Sequence, residues 1–414
     1  PCLRSMRTPR LPSRPPFLVA KYYLYQATMT FGSFSPIWVV FLLSRDLSYT
    51  QIALLGSLSA GISVVGELPT GYVGDRWGRR SSLLLGATLL AGSVYALAVV
   101  RSFAGFVVIY ALWALGGAFR SGSGDAWLYD VLDERLDADR YTTVRGRGGA
   151  VNMTAGAASM LGAGALYAVD PALPFWIAGT VNVAGVLVLL TMPTVEPSPA
   201  GDGDDGDDLG VRETARVLRT ELFAPNVRSV VLGVALFFGA TVTADSFVQP
   251  IAVDHVDLST AALGPLYTAF SLVAAVASYN ADRVQSALGR RSALWVVPVV
   301  VGALLALPMV LAPIVALPVF FVLKASKQAL HPIASGFIND NVDSAGRATV
   351  LSAASMCYAA VRFVLKPLGG LVADAFGPLS AFATVGAFLV AAVLVTRGLA
   401  ALTETTEGDA PVRA

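Results

Sequence analysis

Apolar runs long enough to cross a lipid bilayer recur along the whole chain. A hydrocarbon core of about 30 Å takes about 20 apolar residues in a helix, and twelve such runs can be read from the sequence. Their approximate limits are 17–43, 51–74, 81–100, 104–130, 148–169, 174–193, 229–253, 259–280, 292–311, 313–338, 347–373 and 378–397. Because lipid offers the backbone no hydrogen-bond partner, each run is expected to be a helix. The pattern predicts an all-α polytopic membrane protein with twelve transmembrane helices.

The composition agrees with a chain that faces lipid rather than water. Of the 414 residues, 55% are hydrophobic and only 14% are charged, whereas soluble domains average about 25% charged residues. The net charge of +1 gives no reason to expect a nucleic-acid partner. The cysteines (Cys2 and Cys357) and the histidines (His255 and His331) predict neither a disulfide framework nor a metal site. We therefore expect a monomer in the bilayer, without cofactor or metal.

The distribution of positive charge predicts the orientation. Most of the 29 Lys and Arg residues fall in the amino-terminal segment, the connections after the even-numbered runs and the tail, while the opposite side carries Arg45 and Arg101. Since positively charged loops stay in the cytoplasm, both termini of this multi-pass protein are expected on the cytoplasmic side of the cell membrane. The first apolar run is too long for a cleavable signal peptide. Because the chain begins with Pro1, Met6 is the expected initiator, which would leave residues 1–5 untranslated.

A short charged turn at residues 71–80 separates the second and third runs. It reads Gly-Tyr-Val-Gly-Asp-Arg-Trp-Gly-Arg-Arg and resembles the Gly-x-Leu-x-Asp-Arg-x-Gly-Arg-Arg signature of major facilitator superfamily (MFS) transporters, with Val73 where Leu is usual. The matching residues are Gly71, Asp75, Arg76, Gly78, Arg79 and Arg80. The resemblance implies a gate in which Asp75 faces the helix that begins near Arg347 and Arg79 pairs with Asp130. The alternative is that the arginines only anchor the topology.

An imperfect copy of this turn lies in the second half of the chain, at residues 282–291. The copy keeps five residues of the signature but inserts four between its two parts, and these five are Asp282, Arg283, Gly289, Arg290 and Arg291. Together with the MFS resemblance, the repeat implies two pseudo-symmetric six-helix bundles around a binding site at their interface. The implied division is a cytoplasmic segment 1–16, a first bundle 17–193, a linker 194–228, a second bundle 229–398 and a tail 399–414. Because the acidic run in the linker does not fit a calcium loop, a partly disordered tether is predicted.

Ionisable residues inside the predicted helices are candidates for function, because an intramembrane charge needs a partner or an aqueous cavity. Arg120 lies ten residues before Asp130, hence about 15 Å deeper, and either pairs structurally with Asp125 or handles substrate or protons. Asp245, Glu67 and Asp125 are candidate proton carriers. Asp245 is favoured because Thr241 and Gln249 continue its polar face; its alternative role is packing through neighbouring threonine hydroxyls.

Polar residues on three predicted helices are candidates for binding the substrate. The tenth run carries a polar stripe, the eleventh carries two cations one turn apart, and the first mixes a ring with hydroxyls. The candidates are Tyr25, Thr28, Arg120, Lys324, Lys327, Gln328, His331 and Arg362, with Lys366 beside the last. The cations either neutralise Glu67, Asp125 and Asp245 or hold an anion, and the sequence leaves both open.

The resemblance implies a secondary active transporter that moves a small molecule by alternating access, coupled to protons through Asp245 or Glu67. One alternative is a uniporter or exchanger of organic anions or phosphate, with Arg120, Lys324 and Lys327 holding the anion. A second is a non-transporting membrane receptor on the same scaffold. An enzyme is disfavoured, because the chain contains no phosphate-binding loop, paired-histidine metal motif or nucleophile elbow.

Overall fold

The computed structural model describes residues 16–194, 225–342 and 347–408. Within these three ranges the chain forms α-helices and short 3-10 helices and no strand. The predicted all-α class is confirmed. The proposed linker, the amino-terminal segment before residue 16, the connection at 343–346 and the end of the tail lie outside the described residues, so the predictions made for them stay predictions.

The helices of the first half fill most of residues 17–190. They are α1 (Phe17–Thr28), α2 (Trp38–Leu43), α3 (Tyr49–Trp77), α4 (Arg79–Val99), α5 (Phe103–Arg135), α6 (Tyr141–Val169) and α7 (Leu173–Leu190). In the second half they are α8 (Pro225–Asp245), α9 (Val248–Asp254), α10 (Thr260–Tyr279), α11 (Ala281–Leu288), α12 (Arg290–Val310), α13 (Ala316–Asn341), α14 (Arg347–Phe376) and α15 (Pro378–Gly408). Among the described residues, 9 segments are long and apolar enough to cross a membrane. The count of twelve stays a prediction.

Two of the predicted membrane runs are broken, so the expectation of a continuous helix over 17–43 and over 229–253 is wrong. The first is interrupted between α1 and α2, and the second between α8 and α9 at Ser246 and Phe247. A proline lies in or just after each break: Pro36 lies within the first, between α1 and α2, and Pro250 lies four residues after Ser246 in the second. Proline has no N–H to donate, and its ring crowds the carbonyl four residues back, so a helix readily breaks there.

The bundle has two ends, which we call the motif end and the far end. The motif end carries the α3–α4 and α11–α12 turns, and the far end carries the α2–α3 and α14–α15 turns. Gly78 and Gly289 make the two motif-end turns with φ of 89° and 76°, a conformation that glycine adopts without strain. These matching turns support the predicted relation between the halves.

Two ion pairs in corresponding positions extend that relation. Arg79 donates to Asp130 at 2.7 Å, and Arg290 pairs with Asp340. The partners lie 51 residues apart in the first pair and 50 in the second. The Arg79–Asp130 contact implied by the family resemblance is therefore present in the structure, while its role as a gate stays a prediction. Asp340 was not among the predicted residues, although the nearly equal spacing of the repeat could have identified it.

Contacts between the halves close the far end. The Asp374 carboxylate accepts hydrogen bonds from the backbone N–H groups of Tyr49 at 2.7 Å and Thr50 at 3.0 Å, at the start of α3. On the other side of the bundle, α6 packs on α10 so closely that a Cβ added at Gly164 would overlap the carbonyl of Thr260. The helices at this end therefore meet backbone to backbone, which leaves no passage between these pairs.

Gln249 joins the two broken helices to each other. Its side-chain oxygen accepts from the N–H of Val39 at 2.7 Å, and its amide nitrogen donates to the carbonyl of Ser35 at 2.9 Å. It thereby caps the amino end of α2 from the opposite half of the protein, where α2 lacks partners of its own. The breaks in the two halves are thus held side by side.

Candidate functional site

A cavity of about 670 Å³ lies between the two halves beside the two helix breaks. Both halves contribute side chains to its lining. The residues are Phe31, Phe34, Ser35, Trp38, Val39, Ile52, Gly56, Ser59, Ala60, Ser63, Tyr110, Trp113, Val242, Asp245, Ser246, Gln249, Tyr267, Arg362 and Lys366. Its place at the interface of the halves is the one implied by the MFS resemblance, and we call it the central cavity.

The wall of the central cavity contributed by the first half is aromatic. Phe31, Phe34 and Trp38 come from the break between α1 and α2, and Tyr110 and Trp113 from α5. The rings interlock, with centroids 4.8 Å apart for Phe31 and Trp113, and 5.8 Å for Trp38 and Trp113. Such rings present broad apolar faces with polar edges. Helical spacing in the sequence does not predict this wall, because residues 31–38 lie in and beside the break between α1 and α2.

The opposite wall is charged and is contributed by the second half. Asp245 ends α8 at the break, and Arg362 and Lys366 project from α14. Asp245 forms an ion pair with Lys324 of α13. The Lys324 ammonium also lies 5.0 Å from the ring centroid of Tyr267, close enough for a cation–π attraction. Of the two alternatives left open for the cations of the tenth run, neutralisation of Asp245 is therefore present as a direct contact for Lys324.

More positive than negative charge gathers at this wall. Lys327 and Lys366 lie within electrostatic reach of Asp245, and Arg362 lies within reach of both lysines. Among the described residues, Lys324, Lys327 and Lys366 thus lie near the Asp245 carboxylate, and Arg362 lies near Lys327 and Lys366. A set of this kind favours an incoming negative group, because excess charge sheltered from water is destabilising.

Lys366 reaches across the interface to the first half. A Cβ added at Gly56 of α3 would lie 3.3 Å from the Lys366 Nζ. One turn away, the Ser57 hydroxyl donates to the carbonyl of Phe363 at 3.3 Å. The absence of a side chain at Gly56 therefore lets the ammonium rest against α3 at the edge of the central cavity.

Arg120 lies in a different place from the cations of the second half. It lines a smaller pocket of about 310 Å³ within the first half, together with Tyr25, Asp125 and Arg145. That pocket and the central cavity share no lining residue. The structure does not bring Arg120 together with Lys324 and Lys327, which lie on α13 in the second half, so the joint binding of an anion by these three residues stays a prediction.

Asp125 is the partner of Arg145, not of Arg120. Arg145, at the start of α6, donates to both carboxylate oxygens of Asp125. The predicted structural pair of Arg120 with Asp125 is thus not formed. Five residues on an α-helix turn the side chain by about 140°, so Arg120 and Asp125 are offset on α5 although both line the smaller pocket. Asp125 is committed to an ion pair outside the central cavity, which removes the structural support for it as a proton carrier there.

Three further predicted residues lie away from the lining of the central cavity. The Thr28 hydroxyl donates to the carbonyl of Tyr25 at 2.8 Å within the end of α1, and its side chain is buried. Gln328 and His331 are exposed on α13, and the His331 ring packs edge-on against Phe238 at 5.9 Å. None of the three contacts the charged wall described above.

Some of the predicted gate residues can be placed only in part. The side chains of Glu67 and Asp75 and the position of Gly71 lie outside the described residues, although the helix α3 that carries them is described. Arg76 donates to the Tyr72 hydroxyl at 3.1 Å, and Arg80 to the carbonyl of Leu190 at 2.7 Å. Both arginines therefore have local partners at the motif end.

The copy of the motif in the second half contains an additional short helix. The four inserted residues fall in α11, which carries the exposed residues Asp282 and Arg283. The chain then turns at Gly289 and enters α12 with Arg290 and Arg291 in its first turn. The insertion is thus an extra helical turn, and it leaves the glycine turn and the Arg290 ion pair intact.

Comparisons with known proteins agree with this architecture. The family model described as Major Facilitator Superfamily matches residues 26–365. Among curated proteins, an uncharacterized MFS-type transporter, YxaM of Bacillus subtilis (strain 168), is 23% identical over 388 residues, which cover 90% of this chain and 94% of the relative.

Solved transporters share the fold at low sequence identity. The nucleoside transporter NupG superposes with a TM-score of 0.73 at 12% identity, covering 92% of this chain and 97% of its own. A bacterial homolog of the human lysosomal transporter Spinster, in an inward-facing and unoccupied conformation, gives a TM-score of 0.72 at 18% identity, covering 94% and 96%. At sequence identities this low, the comparison shows that these proteins share a fold with this chain and shows nothing about their substrates.

Proposed function

Because this chain belongs to the major facilitator superfamily, and is thus a membrane transporter, we propose that it moves its small-molecule substrate through the central cavity by alternating access. In this mechanism two bundles rock around a site at their interface, opening it to each side in turn. The observation that carries the proposal is a cavity lined by both halves and closed at one end by contacts between them.

We further propose that the structure represents the state in which the cavity communicates with the motif end. Asp374 bridges the halves at the far end, and Gln249 bridges them at the helix breaks beside the cavity, which leaves access from the other side. The excess of basic residues in motif-end loops assigns that end to the cytoplasm, so the state would be inward-facing. The likeness to the inward-facing Spinster homolog supports this assignment.

The ion pair of Asp245 with Lys324 is the proposed site of proton coupling. It joins the end of α8, at the helix break, to α13. A proton on Asp245 would remove its negative charge and so release Lys324, while Lys327, Lys366, Arg362 and Tyr267 stay nearby. Because Asp245 ends one segment of the broken helix, the change in its pairing acts where the backbone can bend.

The test is transport in proteoliposomes that carry the purified protein. A thermal-shift screen with organic acids, sugars, amino acids and hydrophobic cations first identifies a solute that stabilises the protein, because binding to the folded state raises its apparent stability. With that solute, wild type is expected to accumulate substrate in response to an imposed pH gradient. Asp245→Asn is expected to keep exchange of internal for external substrate but to lose accumulation driven by the gradient.

Asp254→Asn provides the matched control, since Asp254 is an exposed carboxylate at the end of α9 and is expected to leave accumulation unchanged. Full accumulation by Asp245→Asn would remove the coupling role. If wild type exchanges substrate but no proton gradient drives accumulation, the second candidate, an anion exchanger without proton coupling, is supported, in line with the excess of cations at the charged wall. Absence of both exchange and accumulation would favour a receptor.

A further inference from the structure

The two walls of the central cavity differ in chemistry, and the difference defines a class of substrate. We propose that the transported molecule is an organic anion with an aromatic or similarly flat apolar body, its acidic group held by Arg362 and Lys366 and its body packed on the aromatic wall. This inference rests on the proposed function, because it takes the central cavity to be the transport site.

The charged wall carries a surplus of positive charge. Lys324 is already paired with Asp245, whereas Lys327, Arg362 and Lys366 have no ion pair with another described residue. Arg362 and Lys366 both line the cavity and lie four residues apart on α14, so their side chains lie on one face of the helix. An acidic group between them would meet the guanidinium fork and the ammonium together. A cationic solute would be repelled, and a neutral one would leave the surplus uncompensated.

The aromatic wall offers a surface on which a flat apolar group can pack. Trp38 and Trp113 lie with ring centroids 5.8 Å apart, and Phe34 lies 5.7 Å from Trp113. Phe175, which is fully buried behind them, packs on Phe34 at 5.1 Å and holds the wall in place. A rigid set of rings favours a flat apolar partner, because aromatic pairs gain energy beyond the area that they bury.

The volume of the central cavity limits the size of the substrate. The cavity volume of about 670 Å³ lies within the range of about 300–1,000 Å³ found for pockets that bind drug-sized molecules. Inorganic phosphate or a simple carboxylate would occupy the charged wall but leave the aromatic wall uncovered. An anion that also carries an apolar body can contact both walls at once, which distinguishes it from inorganic and short-chain anions.

Four probes separate the contributions of charge and ring. The full-length purified protein is titrated by calorimetry with 4-phenylbutyrate, 4-phenylbutyramide (neutral), 4-phenylbutylamine (cationic) and butyrate (no ring). We expect 4-phenylbutyrate to bind, and each other probe to bind about tenfold or more weakly, the effect of losing one charge-assisted contact or a ring contact. Equal or tighter binding of the amide or the amine, equal binding of butyrate, or no binding of 4-phenylbutyrate at millimolar concentration would overturn the proposal.

Two substitutions locate the site. Arg362→Gln is expected to weaken 4-phenylbutyrate about tenfold while leaving the amide unchanged, a difference that general loss of folding cannot produce. Trp113→Leu is expected to weaken 4-phenylbutyrate and the amide alike. Arg397→Gln is the control, since Arg397 is an exposed cation in the second half of α15 and its removal should change neither. If Arg362→Gln and Arg397→Gln behave identically, the acidic group does not bind at the charged wall and the proposal fails.

Counterflow of labelled 4-phenylbutyrate in proteoliposomes separates failure of the substrate class from failure of transport. Binding with the expected preference, but without counterflow, would support the ligand class and contradict transport. Counterflow of a neutral or cationic solute that 4-phenylbutyrate does not inhibit would contradict the ligand class and leave transport standing.

Discussion

Asp374 holds the start of α3 across the interface between the two halves, so its replacement by alanine tests how the far end is closed. Its oxygens accept from the N–H groups of Tyr49 at 2.7 Å and Thr50 at 3.0 Å. Ser48, in contrast, caps the N–H of Gln51 from within the same helix. The first two N–H groups of α3 therefore depend on a carboxylate that belongs to the other half.

The magnitude follows from these two hydrogen bonds. Removing a capping side chain costs about 0.5–2 kcal/mol, and a carboxylate at a helix amino terminus adds about 0.3–1 kcal/mol. Because Asp374 is exposed and water competes for the same N–H groups, we take about 1–2 kcal/mol for both effects together. Only the state with a closed far end makes these bonds, so Asp374→Ala should lower its population relative to the open state about 5–30-fold.

The assay measures access to the central cavity from the far side. Cys2 and Cys357 are replaced by serine, and a single cysteine is placed at Ser59, which lines the cavity. In oriented membranes, the rate of labelling by a membrane-impermeant maleimide from the far side should rise with Asp374→Ala by the factor given above. The labelling rate from the motif end should fall or stay constant.

Asp254→Ala is the matched control, because Asp254 is an exposed acid of the far end that makes no hydrogen bond through its side chain in the described structure. It should leave the labelling rates unchanged. A folded Asp374→Ala variant that is labelled no faster from the far side than this control would refute the reasoning that Asp374 closes the far end.

Two further substitutions test packing at the same end. Gly164→Val should prevent close approach of α6 to α10, because a Cβ at Gly164 would overlap the backbone at Thr260. Far-side labelling should rise, whereas Gly162→Val, at a position with open space around it, should leave it unchanged; similar rates for both variants would contradict close packing as the cause. Gln249→Ala should leave the N–H of Val39 without its partner and lower the free energy of unfolding by about 1–3 kcal/mol. The expected observation is a lower melting temperature. An unchanged melting temperature would show that water replaces the lost hydrogen bond.

The class of fold follows from the sequence alone, because membrane helices depend on local properties. A run of about 20 apolar residues becomes a helix in lipid whatever its neighbours are, and the turns at Gly78 and Gly289 follow from short motifs. Pro36, inside the first break, and Pro250, just after the second, could have indicated both breaks, but the apolar runs continue across them.

The partners of the charged residues were decided by the tertiary structure. Helical spacing shows which side of a helix carries a residue, but not which helix lies opposite. Asp125 therefore pairs with Arg145 of α6, Asp245 pairs with Lys324 of α13, and Arg120 lines a separate pocket. The spacing of Arg120 and Asp125 left their pairing open, and the packing of α5 against α6 decided it by placing Arg145 beside Asp125.

The aromatic wall also could not be predicted from helical spacing, because its rings come from different helices. Phe31, Phe34 and Trp38 stand close in sequence, but Tyr110 and Trp113 join them only because α5 packs beside the break after α1. Long-range contacts of this kind depend on how helices fit together, and hydropathy or short motifs do not encode that fit. The sequence thus determined that the chain crosses the membrane as helices and carries buried charge, and the fold decided which charges and rings face a common cavity.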